Sequence, residues 1–186
     1  EHGIDGVFLQ RFGGAVKEPR RLNHCNVVTS NVQAGANLHG RTWAMMYDLS
    51  GMQPGAIEKW VVEDWKLLVD RMKIREDRAY LHHEGKPVVA VWGVGFSDGR
   101  KYSLEECEQL VRFLKEDPEY GGNTVMLGLP THWRTLTRDA VADRKLHAIV
   151  RLADIVSPWM VGRYKNLGQV RTHAKTTVAA DIEWCS

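Results

Sequence analysis

Five apolar runs punctuate the chain: GIDGVFLQ (3–10), RTWAMMYDL (41–49), KPVVAVWG (86–93), NTVMLGLP (123–130) and ADIVSPWM (153–160). They alternate little and are rich in β-branched and aromatic residues, as buried strands of a parallel sheet are. Between them the apolar period changes to that of a helix. Residues 56–72 place Ile57, Val61, Trp65, Leu68 and Met72 on one face. Ser103 and Glu106 form a capping-box signature ahead of a helix over 104–116, whose stripe is Leu104, Cys107, Leu110, Val111 and Leu114. Residues 139–152 turn Val141, Leu146, Ile149 and Val150 inward. A weaker helix over 24–39 stops at Gly40, a favoured residue just past a helix end. AKTTVAADIEWCS (174–186) reads as a last helix, with a long polar loop over 163–175 before it.

The order is strand then helix, five times, at the spacing of βαβ units. The fold class is therefore α/β, in one domain over 1–186 with no linker and no solenoid repeat. Two architectures suit this order: a doubly wound open sheet, or part of a (β/α)8 TIM barrel. A whole barrel takes about 250 residues, so the barrel version is a partial one, about strands 2 to 6 with their helices. EHG at the start reads as the close of a helix, and the stop after Trp184-Cys185 lacks a terminating signal. Both suggest a domain truncated at each end.

Composition narrows the function classes. The chain is 44% apolar and 26% charged, with a formal net charge of +2, which are globular values. That balance gives no bulk attraction to nucleic acid or an anionic membrane. No apolar stretch reaches the roughly 18 residues of a membrane span. Cys25, Cys107 and Cys185 are far apart and match no zinc spacing. They read as small buried hydrophobes. Seven tryptophans are many for 186 residues. Most belong in a core, but flat indoles at a cleft also stack on sugar rings.

Ligands of parallel α/β sheets meet the carboxyl ends of the strands. Those ends read QRFGG, YDLSG, WGVGF, PTHWR and SPWMVGRY, rich in rings, Arg and amides. The candidate ligand-binding residues are Gln10, Arg11, Tyr47, Asp48, Trp92, His132, Trp133, Arg134, Trp159 and Tyr164. Each has a plainer alternative: an Asx turn for Asp48, core packing for Trp92, a solvated loop for His132–Arg134, a bend for Pro158-Trp159. His82-His83 and Asp154 lie at the amino ends of strands and read as surface and structural residues. Trp60 and Trp65 lie in a helix and read as packing. GGAV (13–16) is too short for a phosphate-binding fingerprint, and GVGFSDG (93–99) has the wrong spacing. Rings among hydrogen-bonding groups point to a carbohydrate cleft.

Several blocks together carry a resemblance: DGVFLQRFG, GR-x-W-A-M-M-Y-D-L-S-G, EDW-x-x-L-V-D, HHEGKPVVAVWGVGF, YGGNTVMLGLPTHWRTL and ADIVSPWMVGRY. In this order the chain resembles the superfamily of glycoside hydrolase families 71 and 99. The nearest part is the bacterial branch labelled xylosidase/arabinosidase-like; other relatives are endo-α-mannosidases and endo-α-mannanases. The resemblance implies a (β/α)8 barrel that cleaves α-linked glycans with retention, without a cofactor or metal. It makes GIDGVFLQRF the second barrel strand. The family's acidic block, shaped like D-E-V-D-E-G on the last strand, does not occur here, so no catalytic residue carries over. The expectation is one wall of a glycan cleft in a hydrolase parent, secreted or periplasmic by its substrate class. The fragment itself is expected to be inactive, with the parent's missing strands as its partner. The alternatives are a non-catalytic carbohydrate-binding barrel and a nucleotide-dependent α/β enzyme.

Overall fold

The computed structural model describes residues 3–186. The reading of EHG as a helix end falls on Glu1 and His2, which lie outside the described residues. The chain is α/β, built on a mostly parallel six-stranded sheet. In chain order the elements are β1 (Gly6–Phe12), α1 (Pro19–His39), β2 (Thr42–Asp48), a π-wound turn (Ile57–Val62) running into α2 (Glu63–Met72), β3 (His82–His83) and β4 (Lys86–Trp92). They continue with α3 (Leu104–Glu116), β5 (Thr124–Leu129), α4 (Lys145–Val150), β6 (Ile155–Pro158), α5 (Leu167–His173) and α6 (Ala179–Cys185), the last two joined by another π-wound stretch. The strands lie in the order β1-β2-β4-β5-β6, and every pairing along this path is parallel. β3 forms only a short antiparallel hairpin with β4, and both its histidines are exposed. A doubly wound sheet reverses its strand order at a switch point; this path never reverses. The order is compatible with a section of a barrel.

Residues on one side of the pleat carry the core. Trp43, Met45, Tyr47, Val89, Val91, Val125, Leu127 and Leu129 are buried there, against Ile57, Val61, Trp65 and Leu68 of the second helix and Leu110, Val111 and Leu114 of α3. Their neighbours point to the other face. That face is only partly covered: Phe8 and Phe12 are exposed and Met46, Trp92, Met126 and Ile155 half-buried.

Local chemistry explains the boundaries. α3 has its capping box, with Ser103 Oγ accepting from Glu106 N and Glu106 accepting from Ser103 N. α1 begins five residues before the periodicity suggests. Pro19 occupies its first turn and the Glu18 carboxylate accepts from the N–H groups of Arg20 and Arg21. The helix expected over 139–152 forms only as α4. Its first half is drawn into a loop where Val141 N donates to Gly95 O and Ala140 bridges Phe96. The polar loop expected over 163–175 is shorter, because Asn166 caps α5 by accepting from Gln169 N. Of the cysteines only Cys107 is buried; Cys25 is half-buried and Cys185 exposed. Asp154 is structural as expected, accepting from Val125 N and pairing with Lys115. No helix among the described residues is long and apolar enough to cross a membrane.

Candidate functional site

The carboxyl ends of β1, β2, β4 and β6 and the loops beyond them line an open cleft of about 520 Å³. It is lined by Gln10, Met46, Asp48, Ser50, Trp92, Phe96, Asp98, Arg100 and Trp159. Four of the ten sequence candidates meet here: Gln10, Asp48, Trp92 and Trp159. The sheet register brings them together. Gln10 pairs with Met46 and Asp48 with Trp92, so all project from the uncovered face at adjacent levels. Gln10 Nε2 donates to Asp48 Oδ2 at 2.7 Å, and Ser50 N donates to Asp48 Oδ1 at 2.8 Å. The Asx turn and the cleft position are thus both true of Asp48.

The aromatic wall is built on a glycine. Trp92 lies opposite Gly128 of β5, and a Cβ on Gly128 would come within 1.8 Å of the indole. Only the bare backbone lets the ring lie flat across the neighbouring strand. Trp159 tilts against Trp92 with centroids 5.4 Å apart, and the Phe96 ring stands 6.3 Å from the same indole. Arg100 stacks its guanidinium 4.7 Å over Phe96. It is held in place by both oxygens of Asp98, by Tyr102 Oη and by Ser50 Oγ. Gly93 has φ +112°, and a side chain there would strike Arg100 and Tyr102. Tyr102 in turn donates to Gly93 O, and burial lifts its phenol well above the usual range. Gly93 therefore makes room for Arg100 and Tyr102, whereas a side chain on Gly95 would meet Leu146. No helix follows these glycines directly, and the capping box of α3 already takes up Ser103 N and Glu106 N, so the nucleotide reading gains no support.

The structure places the other six candidates elsewhere. Arg11 points to the helices, 2% exposed, donating to Asp64, Asn26 and Thr29. Tyr47 is fully buried on the same side and donates to Asp64 Oδ2 at 2.7 Å. Burial first, and then the adjacent Asp64 carboxylate, push its phenol well above the ordinary range. Trp133 is fully buried, edge-on to Trp184 with centroids 4.8 Å apart. Arg134 pairs with Asp181 at 2.9 Å. Tyr164 sits on the exposed segment after β6, against His173. His132 turns Nδ1 to Asp139 Oδ1 at 2.7 Å. Asp139 also accepts from Thr131 N, His132 N and Arg163 Nη2, and so ties the loops after β5 and β6 together. Burial raises its carboxyl, but these donors outweigh burial and hold it below the usual carboxylate range.

The cleft offers two carboxylates, one guanidinium, one amide and three rings. Both carboxylates are occupied: Asp48 by Gln10 and Ser50 N, Asp98 by Arg100. No cluster among the described residues could hold a metal ion. Met46, Ser50, Phe96, Asp98 and Arg100 were not among the sequence candidates. Gly128 at a level with Trp92 was the available signal, since a strand glycine beside a tryptophan strand end marks a ring lying across it. In comparison with known proteins, the chain matches no family model, no curated protein and no solved structure.

Proposed function

We propose that the cleft binds carbohydrate, and that the sheet is an arc of a (β/α)8-type barrel of the kind the family 71/99 resemblance implies. The observation that carries the reading is the pair of indoles, Trp92 and Trp159, beside the Gln10–Asp48 hydrogen-bonding pair at the carboxyl ends of parallel strands. Flat apolar faces accept the C–H face of a pyranose, and a carboxylate with an amide orders its hydroxyls. Unbroken strand order and an uncovered inner face support the barrel arc. Retaining glycoside hydrolysis needs two carboxyl groups about 5–5.5 Å apart, one of them donating a proton to the leaving oxygen. With Asp48 and Asp98 each committed to neighbours, the chain acts as a binding wall and not as a hydrolase by itself. A parent with further carboxylates would supply the catalysis.

The test is titration of α-linked mannooligosaccharides against intrinsic tryptophan fluorescence. Loss of one indole surface costs about 1–3 kcal/mol, so Trp92→Ala and Trp159→Ala should each weaken binding about tenfold or more. Tyr164→Ala, outside the cleft, should leave it unchanged. Equal affinities in all three variants refute the cleft. Release of reducing ends from an α-mannan by the wild-type chain refutes the assignment of a binding wall.

A further inference from the structure

Three charged side chains line the cleft: Asp48, Asp98 and Arg100. Two of them cancel. Asp98 accepts from Arg100 Nε and Nη2, one on each oxygen, at 2.9 and 3.1 Å. Arg100 Nη1 donates to Ser50 Oγ and Tyr102 Oη, which leaves one N–H of the guanidinium fork free. Asp48 has no such partner. It is 6% exposed, and its donors are a neutral amide, Gln10 Nε2, and a backbone N–H, that of Ser50. It joins no ion pair among the described residues. Lys101 lines a neighbouring hollow with Asp98 and Arg100, and not this cleft. The cleft therefore holds one carboxylate that no cation offsets.

The bonds that hold Asp48 also fix what else faces a ligand. An ionised carboxylate only accepts, so the Gln10 amide must turn its NH2 group to Asp48. Its carbonyl Oε1 is then left facing the cleft, with no partner among the described residues. A carboxylate accepts at about four positions, and Gln10 and Ser50 take one each on Asp48. The polar side-chain atoms that β1 and β2 offer to the cleft are thus acceptors. Asp48 is the register partner of Trp92. Carboxylate and indole leave the sheet side by side, one strand spacing of ~4.8 Å apart. A pyranose lying on the indole turns the substituents of its rim toward Asp48 and Gln10.

We propose that the sugar this cleft takes is an amino sugar with a free, protonated amine. Its ring lies on Trp92, and its ammonium sits between the Asp48 carboxylate and Gln10 Oε1. An ammonium brings three N–H donors, a positive charge and no acceptor, which are the groups this floor lacks. A hydroxyl at the same place brings one donor and no charge. A uronate sets a second anion against a carboxylate that has no cation, and is disfavoured. The assignment rests on the carbohydrate reading and narrows it to one class of sugar.

The experiment compares three probes by the tryptophan fluorescence of the whole chain, at a mildly acidic pH that keeps a sugar amine protonated. They are a glucosamine tetramer, the same tetramer N-acetylated, and mannotetraose. Acetylation removes the charge and two donors without changing the linkage. The glucosamine tetramer should bind about tenfold more tightly than its acetylated form, the worth of one hydrogen bond between charged groups. The formal net charge of the chain is +2, so general attraction for a polycation does not produce that ratio. Asp48→Asn should bring the ratio to about one; the Gln10 amide can turn over to accept from the new side chain, so the shape is kept. Glu76→Gln, at an exposed acid outside the cleft, should leave the ratio as it is. A ratio near one in the wild type, which needs no variant, or a ratio that survives Asp48→Asn, overturns the amino-sugar assignment. If mannotetraose then still binds and Trp92→Ala weakens it, the carbohydrate reading stands alone. Failure of all three tetramers to bind removes both.

Discussion

Replacing Asp64 with Asn tests the structure where it departs most from its sequence. Arg11 and Asp64 are a buried ion pair at 2.6 Å, with side chains 1% and 2% exposed. Asn26 and Thr29 take further guanidinium hydrogens, and Tyr47 donates to the second carboxylate oxygen. Asp64→Asn keeps the shape and removes the charge, leaving the guanidinium uncompensated in a dry site. Breaking one side of a buried pair costs about 3–5 kcal/mol, a large part of the 5–15 kcal/mol that holds an ordinary domain. With a urea slope near 2 kcal/mol/M, the midpoint should fall by about 1.5–2.5 M. The assay is equilibrium unfolding followed by tryptophan fluorescence. Arg11→Met should behave alike, while the double variant Arg11→Met/Asp64→Leu should be more stable than either single one, since no charge is then stranded. A midpoint shift below about 0.5 M for Asp64→Asn, or a double variant whose loss is the sum of the singles, refutes the network. The same pair separates stability from binding. If the cleft binds carbohydrate as proposed, Arg11→Met, studied without urea, should leave that affinity unchanged, whereas Gln10→Ala, one residue away on the opposite face, should weaken it and keep its midpoint.

Three further outcomes follow from the same geometry. Gly128→Ala forces the Trp92 ring off its strand, so stability should drop by about 1–3 kcal/mol and the fluorescence of folded protein should change; an unmoved spectrum and midpoint would contradict the packing. Trp133→Ala empties a fully buried site, so it should cost about 3–5 kcal/mol in the same unfolding assay, and a loss below 1 kcal/mol would return Trp133 to the surface. Asp139 has a carboxyl held below its ordinary 3.8, so its contribution is present above that value and lost as pH falls through the lower folded value. The melting-temperature gap between wild type and Asp139→Asn should therefore be wide at neutral pH and close in acid; a gap independent of pH would remove the carboxylate from the loop tie.

Strands and their order were legible because burial on both faces leaves continuous apolar runs, and no other element gives runs so short. The same property hid the site. In a parallel sheet both faces are apolar, so the pattern does not say which of two neighbours at a strand end points to the cleft. Gln10-Arg11 and Tyr47-Asp48 were both read as cleft pairs, and the structure gives one of each to the helices. The discriminating signal lay elsewhere in the chain. Asp64 falls between Val61 and Leu68, three residues after one and four before the other, on the apolar stripe of the second helix. An acid on a buried stripe demands a buried cation and donors, and Arg11 and Tyr47 are the groups that met it. The loop residues resisted for another reason. Trp133 follows a strand-ending proline and reads as exposed loop, but it is buried by Trp184, more than fifty residues later, a contact that periodicity cannot express. The helix expected over 139–152 kept only its second half, as α4, because its first half bonds with the Gly95–Ser97 loop. Those bonds, with Asp139 at their hub, stiffen the segments carrying Phe96 and Trp159. What the sequence could not show is therefore the part that shapes the cleft: tertiary hydrogen bonds chosen over local helix, at the one end of the sheet where a ligand would enter.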